Sequence, residues 1–110
     1  MRDHPFEILI EWDDNKNKEN IRKHGISFET AKLVFADKNR IEYYDQLHSF
    51  DEDRYVVLGM VHNVLFVIYT IRKENIRIIS ARCATKAERD VYYGKRKNRK
   101  SKSYRRTKAN

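Results

Sequence analysis

Asn75-Ile76-Arg77-Ile78-Ile79-Ser80-Ala81-Arg82-Cys83-Ala84-Thr85-Lys86-Ala87-Glu88-Arg89-Asp90-Val91-Tyr92-Tyr93 runs from one regular element into another with no linker. Ile76, Ile78 and Ile79 form a β-branched run that favours a strand. Thr85 stands three residues before Glu88, the spacing of a capping box, so a helix is predicted from near Lys86. Arg77, Arg82, Lys86 and Arg89 are the basic groups around this junction, and Ser80, Glu88, Tyr92 and Tyr93 are groups that can move or share a proton. Cations beside a helix N-terminus, which itself favours anions, describe a seat for phosphate. Arginines at a strand end are also commonly solvated or salt-bridged. Arg77 and Arg82 are five apart and face opposite sides of the strand unless it ends or bulges between them.

Upstream, Phe6 to Glu11 alternates apolar and acidic residues and reads as a half-buried strand. Asp13 and Asp14 offer N-cap oxygens to a helix over about Asn15–His24, which Gly25 stops. Ile21 is its one clear apolar anchor. Ser27 caps a second helix to about Ala36, with Phe28, Ala31, Val34 and Phe35 on its buried face. Ile41–Tyr44 is a short strand, and 45–53 an acidic connection holding His48. Arg54–Val61 and Val64–Ile71 form a hairpin about His62-Asn63, with Asn63 suited to the positive φ of a tight turn. The second of these runs is apolar without alternation, which predicts a central strand covered on both faces. Arg72–Asn75 turns into Ile76–Cys83. The order strand, two helices, four strands, helix predicts an α+β fold with an antiparallel sheet of about five strands.

The 110 residues suffice for one core. Nine Lys and Arg and no acid fall in residues 95–110, which against the net +8 of the whole chain leaves −1 for the rest. The expected division is therefore a nearly neutral domain over 1–94 and a basic tail over 95–110, disordered or transiently helical when unbound. Phosphate affinity in the domain must come from local segregation of charge. No apolar run is long enough to cross a bilayer, the N-terminus lacks the apolar core of a signal peptide, and Cys83 is alone, so a cytoplasmic protein is expected.

Four scattered histidines and one cysteine lack metal-ligand spacing, and no glycine-rich phosphate loop exists, so neither a metal nor a nucleotide cofactor is expected. RNA phosphodiester cleavage fits the inventory better, because the ribose 2′-hydroxyl is a built-in nucleophile. Such a site needs a proton acceptor, cations on the crowded phosphorus centre, and a proton donor for the leaving 5′ oxygen. Arg54, Arg77 and Arg82 are the candidate clamps; His24, His48, Glu88 and Tyr92 are the candidates for proton transfer. Lys16, Lys23, Lys86, Arg89 and Tyr92 are candidate RNA contacts. His24 also fits an interaction with the C-terminal end of its helix, and His48 also fits a loop residue among acids. One of Tyr92 and Tyr93 is expected in the core.

Glu11-Trp12-Asp13 with Lys16 and Asn20, then Lys23-His24-Gly25-Ile26-Ser27-Phe28-Glu29 and Val34-Phe35-Ala36-Asp37, resemble the opening of the BrnT family of toxins. The likeness continues through Asp45, His48-Ser49, Asp51-Glu52-Asp53-Arg54 and Gly59 to Arg77–Arg82, Ala84 and Glu88. The resemblance implies a RelE-like fold and a type II toxin that cleaves RNA and arrests translation. It also implies a BrnA-like antitoxin with a ribbon-helix-helix domain, a heterotetramer with it, and operator DNA contacted only through that antitoxin. Lys16, His24, His48, Arg54, Arg77, Arg82 and Glu88 are the functional positions it suggests, without roles. The basic tail departs from the family's short ending. A reading of another class is a noncatalytic module with a toxin fold that binds RNA or antitoxin and serves as co-repressor.

Overall fold

The structure, a computed structural model, describes residues 8–94. Phe6 and Glu7 of the expected first strand, and the whole tail 95–110, lie outside the described residues. Five strands form one sheet in the order β1-β5-β4-β3-β2: β1 Ile10–Glu11, β2 Ile41–Tyr44, β3 Tyr55–Val61, β4 Asn63–Arg72 and β5 Asn75–Cys83. β2 to β5 pair antiparallel as expected, while β1 runs parallel to β5 through Ile10 opposite Ile76 and Glu11 opposite Arg77. The sheet is therefore mixed. The helix that follows β1 supplies part of the crossover that a parallel neighbour requires. The apolar run of β4 is the central strand.

Helix α1, Asp14–His24, starts at an N-cap whose Asp13 side chain accepts from the Lys16 N–H, and ends at Gly25 with φ 73°. Its anchor differs from the expected one. Ile21 is 44% exposed, and the buried residue is Asn20, 5% exposed. The Asn20 amide donates to the carbonyls of Ile26 and Ala81 at 2.8 and 2.9 Å and accepts from the Ala81 N–H at 3.1 Å. Asn17 adds a bond from the Phe28 N–H at 2.8 Å. A helix with almost no apolar face is thus held by amides satisfying backbone groups of the sheet and of the next turn.

Helix α2, Phe28–Ala31, is capped by Ser27 and continues as a 3-10 turn over Lys32–Ala36. Phe28, Ala31 and Val34 are fully buried with Val57, Leu65, Val67, Tyr69, Ile78 and Ala81 on one face of the sheet. The turn lies so close to β3 that a Cβ on Gly59 would stand 2.7 Å from that of Val34. Helix α3, Lys86–Tyr93, carries the full Thr85/Glu88 capping box and packs Val91 and Tyr92 with Val56, Leu58 and Val64 on the other face. The two turns differ in detail from expectation. His62, not Asn63, takes the positive φ of 69°, and Asn63 already pairs with Val61. In the other turn Lys73 and Glu74 both have positive φ, 50° and 72°, as a two-residue hairpin loop requires.

Candidate functional site

The register of β5 decides where its arginines go. Ile68 pairs with Ser80 but its neighbour Tyr69 pairs with Ile78, so Ile79 is an extra residue bulged out of the ladder. The bulge reverses the alternation between Arg77 and Arg82. Arg77 falls opposite Thr70 and Arg82 opposite Phe66, two positions of β4 separated by an even number of residues, so both arginines stand on the α3 face.

Across the strands, Arg77 begins a line of polar groups. Glu11 is beside it on β1 and Thr70 beside it on β4. Tyr55 opposite Tyr69 and Tyr44 opposite Tyr55 bring Arg54 next to Thr70 and Asp45 next to Arg54 one step past the assigned pairs, and the Asp45 N–H donates to the Arg54 carbonyl at 2.8 Å. The line is Glu11, Arg77, Thr70, Arg54, Asp45. With strands about 4.8 Å apart, Arg77 and Arg54 flank Thr70 with backbones roughly 10 Å from each other, a spacing two long side chains bridge around one phosphate. Thr70 is buried and its hydroxyl donates to the Asp53 carbonyl at 2.6 Å, which makes it a floor.

The charges of this line are incompletely partnered. Arg77 donates to Glu11 through one nitrogen at 3.0 Å. Arg54 approaches Glu52 at 3.7 Å, and Arg72 approaches the same carboxylate at 3.6 Å. The Arg54 Nε–H is buried with no acceptor among the described residues. A buried donor left unmet is costly. At the end of the line His48, exposed on a 3-10 turn over Gln46–His48, directs Nδ1 to both oxygens of the buried Asp45 at 2.9 and 3.2 Å.

Arg82 occupies a different setting roughly 13 Å further along the strand. Its guanidinium lies 3.9 Å over the Phe66 ring and donates through two nitrogens to the two oxygens of Glu88, at 2.9 and 3.0 Å. Glu88 also accepts from the Thr85 N–H at 2.8 Å. Burial would raise the Glu88 pKa, but the bonds from Arg82 and Thr85 outweigh it and hold the carboxyl below its usual range. Ser80, Ile68 and Tyr43 share the face between the two arginines.

The remaining candidates disperse. Lys16, Lys23 and His24 are exposed on α1, which bonds the sheet through Ala81 on the opposite face, and Lys23 sits 3.9 Å from Glu19. Lys86 pairs with Asp90 at 3.2 Å and Arg89 donates to the Ala84 carbonyl at 3.1 Å. Tyr92 donates to Asp37 at 2.5 Å; burial and then that bond push its pKa up to about 12. Asp37 also accepts from the Met60 N–H at 2.8 Å, so the pair ties α3 to the turn before β2. Two residues that the sequence does not mark as site candidates adjoin this line: Asp45, hidden among the acids of its loop and bonded to His48, and Ser49, bonded to the Arg54 N–H. An Asp three residues before a His was the available signal. Among the described residues no group of three or more His, Cys, Asp or Glu is arranged to hold a metal, and no helix is long and apolar enough to cross a membrane.

The model of the family described as ribonuclease toxin, BrnT, of type II toxin-antitoxin systems matches residues 12–88. Among solved structures, the crystal structure of the Brucella abortus ribonuclease toxin BrnT superposes with a TM-score of 0.53 at 24% sequence identity, covering 73% of this chain and 100% of that one. That likeness carries the fold. No curated protein matches the chain.

Proposed function

The chain belongs to the BrnT family of ribonuclease toxins of type II toxin-antitoxin systems, and from that premise we propose that it is a metal-independent endoribonuclease whose phosphate seat is the Arg54–Thr70–Arg77 line. The observation that carries this reading is two arginines on one sheet face about a buried threonine, one of them with an unmet buried N–H. In the reaction, His48 takes the proton of the ribose 2′-hydroxyl through Nε2. The 2′ oxygen forms its bond to phosphorus, the bond to the 5′ oxygen breaks, and that oxygen leaves with the electron pair and takes a proton from water, and the hydroxide so formed takes up the proton held by His48, which restores the neutral imidazole. Arg54 and Arg77 hold the extra negative charge on the phosphoryl oxygens, the work a metal ion does elsewhere. The products are a 2′,3′-cyclic phosphate and a 5′-hydroxyl.

Glu88 does not suit the proton donor's role, because it is held ionised and its oxygens are occupied. We assign Arg82 and Glu88 to shaping the far end of this sheet face, Lys86, Arg89 and the tail to holding the RNA strand beside it, and Lys16 and Lys23, on the opposite face, to RNA contacts away from the phosphate seat. Translation arrest, a cytoplasmic site of action, neutralisation by a ribbon-helix-helix antitoxin in a heterotetramer, and operator DNA reached through that antitoxin complete the reading. The second reading, a noncatalytic binding module, draws support from the carboxylate that accompanies each arginine of the face: Glu11, Glu52 and Glu88. Incubating the full chain with RNA in EDTA and mapping the new ends separates the two. New 5′-hydroxyl ends that vanish in Arg77→Ala support the enzyme; intact RNA at micromolar protein leaves the binding module.

A further inference from the structure

The loop that carries His48 is tied down in a way a solvated acidic connection does not need. Asp45 is 8% exposed, and both its carboxylate oxygens lie within hydrogen-bond distance of the one nitrogen, His48 Nδ1. The Asp45 backbone is fixed at both ends: its N–H donates to the Arg54 carbonyl at 2.8 Å, and its carbonyl accepts from the Ser49 hydroxyl at 2.7 Å. The same Ser49 oxygen accepts from the Arg54 N–H at 2.8 Å. One hydroxyl thus joins the turn bearing the imidazole to the backbone of the arginine in the phosphate line. Asp45, His48, Ser49 and Arg54 form a single braced unit.

A carboxylate facing Nδ1 selects the tautomer protonated there and leaves the Nε2 lone pair outward, free to accept a proton. The imidazolium that follows is stabilised by the same carboxylate. The His48 side chain is 58% exposed, so Nε2 is open to substrate, while the carboxylate behind it is shielded from water. We infer that Asp45 is a positioning residue that sets the tautomer and direction of His48, with Ser49 as the brace that keeps this pair in register with Arg54. The inference rests on the ribonuclease reading above and adds to it the two residues through which His48 acts.

If Asp45 acts through His48, its loss has nothing left to remove once the imidazole is gone. Cleavage by the full chain is measured at saturating RNA for wild type, Asp45→Asn, His48→Gln and the double variant, with binding followed on the same RNA carrying 2′-deoxy residues. Asp45→Asn is expected to lower the cleavage rate 30- to 1,000-fold with less than a three-fold change in binding. In the His48→Gln background it is expected to change the rate less than two-fold. Nitrogen chemical shifts of His48 give the second readout: protonation at Nδ1 in wild type, a mixture or the other tautomer in Asp45→Asn. Should Asp45→Asn fail to fold, Ser49→Ala takes its place, expected to cost three- to thirty-fold in rate with the Nδ1 tautomer kept.

Equal fractional losses in both backgrounds make Asp45 a structural residue and overturn the inference while leaving the ribonuclease intact. Wild-type cleavage with His48→Gln fully active does the same. Absence of cleavage by wild type overturns both the ribonuclease and this inference.

Discussion

Arg77 and Arg82 share a strand, a face and a charge, yet they differ in how much of that charge is already spent. Arg82 gives two nitrogens to Glu88 and its plane to Phe66, and Glu88 caps α3 through Thr85. Arg77 gives one nitrogen to Glu11 on a two-residue edge strand, beside an Arg54 whose Nε–H is unmet. A saturated guanidinium builds structure, and an undersaturated one is available to a ligand. Charge alone does not distinguish them.

The largest effect that tests this contrast is on turnover. Arg77→Ala is expected to reduce RNA cleavage by about 10²- to 10³-fold, the scale of losing one preorganised charge stabiliser, while the midpoint of urea unfolding moves little; an unchanged rate breaks the comparison. Arg82→Ala is expected to act in the opposite sense, costing about 2 kcal/mol of stability by the loss of two charged hydrogen bonds and the partly buried partner left behind, with a smaller loss of activity per folded molecule. Urea titration of both variants at one pH reads this directly.

Acid sharpens the same contrast. The Glu88 carboxyl is held below its ordinary value of 4.5 in the folded chain by Arg82 and Thr85. Its stabilisation is therefore present above that value and is lost as pH falls through the lower folded-state pKa. Unfolding followed from pH 6 to pH 3 is expected to fall more steeply in wild type than in Glu88→Gln. The smallest effect lies at the other end: Glu11→Gln frees Arg77 of a half-exposed partner and is expected to tighten binding of 2′-deoxy-blocked RNA about two- to five-fold, the worth of an exposed pair. Unchanged binding shows that Glu11 does not compete with phosphate.

Helix starts, the three N-caps at Asp13, Ser27 and Thr85, and the central place of β4 were legible because caps, glycines and apolar runs act locally. The parallel pairing of β1 was not, since the alternation of Phe6 to Glu11 marks a strand without saying which strand it joins or in which direction. Ile21 misled because the one apolar residue of a polar helix looks like its anchor, whereas the open backbone groups of Ala81 and Ile26 give that place to Asn20. At the site, Arg54, Arg77 and His48 were readable as chemistry and unreadable as a line, because register between strands decides adjacency. Glu88 and Tyr92 were readable as proton carriers, whereas their partners Arg82 and Asp37, one six and the other 55 positions away, hold both of them fast.

The unpaired Ile79 has a genetic corollary. Loss of that single codon would close β5 into a continuous ladder with its pairing to β4 unchanged, Ser80 opposite Ile68 and Ile78 opposite Tyr69. Arg77 and Arg82 would then stand four residues apart in a regular strand and still share the α3 face. A lineage missing the codon is thus expected to keep the two-arginine face, whereas one that keeps the five-residue spacing but pairs every residue into the ladder would turn one arginine beneath α1 and α2.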